Sequence, residues 1–223
     1  TSSSKTYDAT TSATLNTGSL SYGGLVSGDN LTGTYSGVFN NANVGTGKTV
    51  TITSSYSGAD VNNYTITDQA STTADVIAKA LTATASASNK VYDGSSTATS
   101  TLSLSGFIGS ETVTSTNSST FNNKNVGNGK TVTVNSITLA DGSSGGLAAN
   151  YSISTGQTTT ANVTAKALTV SGITTSNKTY DGGTNATTTL SLSGFIGSET
   201  INNINSSTFD NKNIGTAKAV TVN

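Results

Sequence analysis

The sequence predicts an all-β protein made of tandem small immunoglobulin-like β-sandwich modules in an elongated array, and three observations predict it. Thr is the commonest residue (45 of 223), and with Val it suits a pleated, half-buried surface. Apolar residues alternate with Thr and Ser at a period of two over several stretches, the pattern of half-buried strands. The chain also resembles itself at an interval near 87 residues, which is the size of a small domain and too long for a solenoid unit. A β-grasp-like module is the alternative arrangement.

The repeat is read from landmarks that recur in order. Lys-x-Tyr-Asp occurs at Lys5–Asp8, Lys90–Asp93 and Lys178–Asp181. Phe39, Phe121 and Phe209 each precede an Asn-Val-Gly or Asn-Ile-Gly: Asn43-Val44-Gly45, Asn125-Val126-Gly127 and Asn213-Ile214-Gly215. Asn63-Tyr64 returns as Asn150-Tyr151, and Ala78-Lys79-Ala80-Leu81 as Ala165-Lys166-Ala167-Leu168. Residues 88–135 align with 176–223 without a gap, with 34 identities in 48 positions. The division that follows is 1–80 for repeat one, 81–167 for repeat two and 168–223 for repeat three, the last incomplete at its C-terminal end. No Met begins the chain, which reads as an excerpt of something longer.

Repeat two shows the strands best. Thr97–Leu104 alternates small polar and apolar residues, and Thr160–Val170 does the same. Thr131–Leu139 places Val132 and Val134 in one phase and Ile137 and Leu139 in the other, which predicts a bulge or bend between them. Asp93-Gly94, Gly109-Ser110, Gly127-Asn128-Gly129 and Asp141–Gly146 are turn signals. Residues 71–87 have the spacing of a helix candidate, but their counterpart carries Val163, Thr164, Thr169 and Val170, which favour strand. Ala-Lys-Ala-Leu joins one module to the next with no Gly, Ser or Pro spacer, so hinge motion there should be restricted and the modules should meet nearly end to end.

Composition excludes several functions. His, Cys, Met, Trp, Pro and Arg are absent, and the net charge is −1. Without His and Cys there are no zinc sites, thiol nucleophiles or Ser-His-Asp triads, and with no paired acids evident the chain is not expected to be an enzyme. Without Arg or a basic surface no nucleic-acid partner is expected. No apolar run approaches the length of a membrane span. Eight Asn-x-Ser/Thr sequons match the number that a chain so rich in Asn, Ser and Thr produces by chance.

The remaining candidates are few. The Tyr-Asp pairs Tyr7-Asp8, Tyr92-Asp93 and Tyr180-Asp181 read as structural: the ring packs on the core and the carboxylate accepts backbone N–H groups in a turn. Phe39, Phe121, Phe209, Tyr64 and Tyr151 read as core. Tyr22, Tyr35 and Tyr56 have no aromatic counterpart in repeat two, so a glycan or protein contact would be sought there. No cofactor is expected. Asp141, in a Gly/Ser loop, is the one weak candidate ligand for calcium, and no Asp-x-Asp-x-Asp run accompanies it.

At these landmarks the chain resembles the YDG-type repeats of large, filamentous-haemagglutinin-like bacterial surface adhesins. Tyr92-Asp93-Gly94 and Tyr180-Asp181-Gly182 match the motif, while repeat one departs with Tyr7-Asp8-Ala9 at a turn that favours glycine. The resemblance implies an extracellular or cell-surface location and neither enzyme activity nor a defined ligand. Some adhesin domains cross-link a first-strand Lys to a late-strand Asn beside a carboxylate; Lys90, Asp93 and Asn150 would be the ingredients here. The expected function is a stalk or spacer that projects a distal binding region. Its partners are neighbouring repeats of the parent protein and, through other regions, host or environmental glycans or proteins. The alternative is a binding module using the repeat-one tyrosines.

Overall fold

The computed structural model describes residues 1–18 and 20–223. The chain is all-β, as its composition and periodicity predict. It folds into two compact units. The first comprises Thr1–Ala87, Thr99–Thr120 and Val132–Thr159; the second comprises Ser88–Ala98, Phe121–Thr131 and Thr160–Asn223.

Repeat one contributes β1 (Lys5–Thr6), β2 (Ser12–Ala13), β3 (Thr32–Phe39), β4 (Gly45–Ser57) and β5 (Ser71–Ile77). They form one sheet in the order β1-β5-β4-β3-β2. Sequential strands pair antiparallel, but β1 and β5 run parallel, with Lys5 opposite Val76 and Thr6 opposite Ile77. Burial alternates along β3 and β4, leaving Thr and Ser outward and Phe39 and Val50 inward. The helix-like spacing of 71–87 gives strands throughout: β5, then β6 (Lys79–Ala80) and β7 (Thr82–Ala87). Thr alternates with the apolar residues in β5 and β7, so that one face of each strand turns inward, buried in β5 and half-buried in β7.

Repeat two continues with β8 (Lys90–Val91), β9 (Thr97–Ala98), β10 (Ser100–Ser105), β11 (Val113–Phe121), β12 (Gly127–Asp141), β13 (Tyr151–Ser152) and β14 (Thr158–Thr164). Its five-stranded sheet has the same order as the first, β8-β14-β12-β11-β9, again closed by a parallel pair, β8 with β14. The predicted phase change in Thr131–Leu139 takes the form of two consecutive exposed residues, Asn135 and Ser136, within an unbroken β12. A separate antiparallel pair joins β7 and β10. Repeat three supplies β15 (Thr169–Thr175), β16 (Thr188–Ser193), β17 (Ser207–Phe209) and β18 (Val220–Val222), in two antiparallel pairs. No helix is long and apolar enough to cross a membrane among the described residues.

The segment between repeats one and two is held within the first unit. β6 pairs in parallel with β13, and Leu81, itself buried, donates its N–H to Ser152 O at 2.8 Å. The main apolar cluster of this unit crosses the repeat boundary. Tyr7, Phe39, Val50, Ala74 and Val76 of repeat one pack with Leu81, Val113 and Tyr151 of repeat two.

Candidate functional site

Two arrangements stand out: a junction built from the repeat landmarks, and a tyrosine cleft in repeat one.

The junction starts from the Lys-x-Tyr-Asp turn. Asp8 Oδ1 accepts the N–H of Thr10 at 2.9 Å and the Lys5 ammonium at 2.7 Å. Lys5 also donates to Thr10 O and lies 5.6 Å from the Phe39 ring centroid. Repeat two copies this with Lys90, Asp93, Ser95 and Phe121, and repeat three with Lys178, Asp181, Gly183 and Phe209. The Lys90 ammonium, helped by the Ser95 N–H, holds the Asp93 carboxyl down at about 2. The Asp role matches the turn reading. The turn persists in repeat one because Ala9 takes φ 61°, against 78° at Gly94 and 80° at Gly182.

The clamp aims the tyrosine at the next repeat. Tyr7 is only 4% exposed, and its hydroxyl donates to Glu111 Oε1 at 2.8 Å. Tyr151 donates to the other oxygen of the same carboxylate at 2.7 Å, and its ring meets that of Tyr7 edge-on at 5.6 Å. The Ile108 N–H donates to the Tyr151 hydroxyl. Beside this, buried Asn150 accepts the Val44 N–H at 2.9 Å and donates to Asn43 Oδ1 at 3.1 Å. Burial first, then the bond to Glu111, pushes the Tyr7 hydroxyl up to about 12, and the same two causes raise Tyr151. In the second unit Tyr92 donates to Glu199 Oε1, and Lys124 lies 3.4 Å from the same oxygen.

Sequence reasoning missed Glu111 and Glu199 as functional residues. The available signal was that they are the two glutamates of the chain and occupy equivalent positions. Lys90 and Asp93, grouped above as cross-link ingredients, are in direct contact, whereas Asn150 engages Asn43 and Val44. Asp141 caps a turn by accepting the Ala148 N–H at 2.7 Å. No cluster of three or more potential metal-binding side chains occurs among the described residues.

The second arrangement brings together Tyr22, Tyr35 and Tyr56. β3 and β4 place Gly33 opposite Tyr56 and Tyr35 opposite Ser54. Tyr56 meets Tyr22 and Tyr35 edge-on at 6.3 and 6.0 Å, and the Tyr22 and Tyr35 hydroxyls are 3.0 Å apart. Gly33 leaves them room, since a Cβ there would lie 2.7 Å from the Tyr22 hydroxyl oxygen. The bond to Tyr22, then burial, raises the Tyr35 hydroxyl. Tyr56 donates to Asp68. The three rings and Leu15, Asp68 and Gln69 line an open cleft of about 450 Å³, within the size range of small-ligand sites.

A tandem array of all-β modules whose recurring tyrosines bind the carboxylate of the following repeat defines a repeat protein with built-in junctions. The family comparison agrees: residues 1–74, 77–161 and 164–223 each match the YDG domain, and the chain belongs to that family. Comparison with curated proteins and with solved structures found no match.

Proposed function

We propose that this chain is a structural spacer of a secreted or cell-surface bacterial adhesin, holding a distal binding region away from the cell. The observation that carries the reading is the parallel pairing of terminal strands. In repeat one, β1 and β5 are the first and last strands. Tension pulls β1 from its N-terminal end and β5 from its C-terminal end. Because the strands are parallel, those forces act along them in opposite directions, so the hydrogen bonds are loaded together in shear. An antiparallel terminal pair would be peeled one bond at a time. Repeat two has the same closure, and Tyr7 and Tyr92 extend it with N–H bonds to Ile77 O and Thr164 O, both 2.8 Å. Family membership and the near-identity of repeats two and three also suit copies with one mechanical task. Single-molecule stretching tests the proposal. Two high-force events are expected, each releasing about 250 Å of chain; unfolding of both repeats at the low forces of peeled hairpins would refute it.

A second reading rests on the tyrosine cleft. Phenol rings offer an apolar face with a polar rim. Three of them beside Asp68 and Gln69 suit a neutral saccharide, making repeat one a glycan-binding module. Saturation-transfer NMR against neutral oligosaccharides should show binding that Tyr35→Ala and Tyr56→Ala abolish; no binding by the unaltered chain ends this reading.

A further inference from the structure

Asn128-Gly129 is the single Asn-Gly step in the sequence, and it belongs to repeat two alone: repeats one and three have Thr46-Gly47 and Thr216-Ala217 at the same place. The pairing matters chemically. The amide carbon of an asparagine side chain reaches the backbone nitrogen of the next residue, and a side chain on that next residue hinders the five-membered ring that would close between them. Gly129 has none, and a Cβ built there would meet no atom within 4 Å, so the approach to its nitrogen is open. Asn128 is itself exposed.

The backbone explains why a glycine stands there. In repeat one, Thr46 and Gly47 form a bulge between the pairs Gly45–Val76 and Lys48–Ala74. Gly47 takes φ 59° and Gly129 takes φ 58°, a conformation that favours glycine. The Gly47 N–H donates to Asp75 Oδ1 at 2.7 Å, and the Gly129 N–H donates to Asn162 Oδ1 at 2.8 Å. The glycine that permits the bulge is therefore also the one that leaves Asn128 open to attack. Asn162 in turn belongs to the closure of repeat two. Its N–H donates to Asn89 Oδ1 at 2.7 Å, and the next residue, Val163, pairs with Lys90 where β14 runs parallel to β8.

We infer that Asn128 is a site of spontaneous covalent modification, a slow chemical clock in repeat two, and that Asn162 is the latch that sets its rate. The Gly129 nitrogen gives its proton to solvent and bonds to Asn128 Cγ; the Cγ–Nδ2 bond breaks, and ammonia leaves after taking a proton back. Water then opens the resulting succinimide at either carbonyl, leaving aspartate or isoaspartate at position 128. No oxidant, cofactor or enzyme enters the balance. While the Gly129 N–H is donated to Asn162 its proton is held, so the reaction runs from the state in which that bond is open. In the isoaspartyl product the main chain passes through Cγ. The bulge gains one CH₂, the Gly129 N–H is drawn off Asn162, and β14 is loosened where it meets β8. The inference is independent of the spacer and glycan readings.

Peptide mapping by mass spectrometry, after the 223-residue chain has stood in mildly alkaline buffer, tests it. The peptide holding Asn128 should gain the mass difference between O and NH and split into aspartyl and isoaspartyl forms. Asn128→Thr, the residue of repeats one and three, should abolish the change. Asn162→Ala should speed it about fivefold, the worth of one net hydrogen bond. Asn162→Asp, copying Asp75, keeps the acceptor and should stay slow. Conversion in denaturing urea, where no latch exists, should outpace the native chain whether or not Asn162→Ala folds. A native chain unchanged at Asn128, or conversion equally fast at Asn117, Asn135 or Asn205, each followed by Ser, overturns the site. Equal rates in the native and urea-unfolded chains overturn the latch.

Discussion

The two tyrosine–glutamate contacts share a motif but differ in what surrounds them. Tyr7 and Tyr151 both donate to Glu111, their rings touch, and Asn150 fastens Asn43 and Val44 alongside. Tyr92 reaches Glu199 with Lys124 beside it, and the region 164–223 contains no Asn-Tyr pair to complete the set. In the first case the hydrogen bonds lie within an apolar cluster; in the second, Glu199 and Lys124 face solvent. The comparison teaches that the tyrosine is necessary to aim the contact, but its burial and strength come from the later Asn-Tyr landmark.

Alanine substitution at the two glutamates should break the comparison open. Glu111→Ala strands two hydroxyls in a largely apolar setting and should cost about 2–6 kcal/mol, at roughly 1–3 kcal/mol for each buried group left unpaired. Glu199→Ala removes a solvated contact, screened by water, and should cost clearly less. Urea unfolding followed separately for each transition measures both, since a chain with two units need not unfold in one step. Equal losses at the two positions would show that burial is not what separates the junctions.

Much of this was legible in the sequence, and the limit has a physical cause. Period-two alternation over Thr97–Leu104, Thr131–Leu139 and Thr160–Val170 marked β10, β12 and β14, because one face of each strand is turned inward. The Asp turn was legible because Asx chemistry is local. Tyr22, Tyr35 and Tyr56 were singled out as unmatched aromatics, and they converge on one cleft. The partners of Tyr7 were not legible. Glu111 lies 104 residues away, and nothing in either local segment encodes their meeting. Tyr7 and Tyr151 read as core and are buried, and their burial is shared across a repeat boundary that no local pattern announces. Ala9 marks another limit. An alanine at φ 61° opposes the local preference by roughly 1 kcal/mol and is held there by the Lys5–Asp8 clamp around it.

A smaller effect sharpens the comparison through pH. The Tyr7 hydroxyl is raised from 10.0 to about 12, chiefly by burial and then by Glu111, so its protonated form is the one the fold favours. Its stabilisation is complete below pH 10 and is lost as pH rises toward 12, reaching about 1 kcal/mol of loss at pH 11. Tyr92 is raised in the same direction, first by its bond to Glu199 and only then by burial. Lysines titrate in this range too, so the informative quantity is the difference between the unaltered chain and Tyr7→Phe. Stability of the first unit should fall more steeply from pH 9 to 11 in the unaltered chain than in Tyr7→Phe, while Tyr92→Phe should leave that slope unchanged. Parallel slopes for the unaltered chain and Tyr7→Phe would mean that the junction tyrosine ionises as freely as an exposed one, and the buried bond to Glu111 would then have to be abandoned.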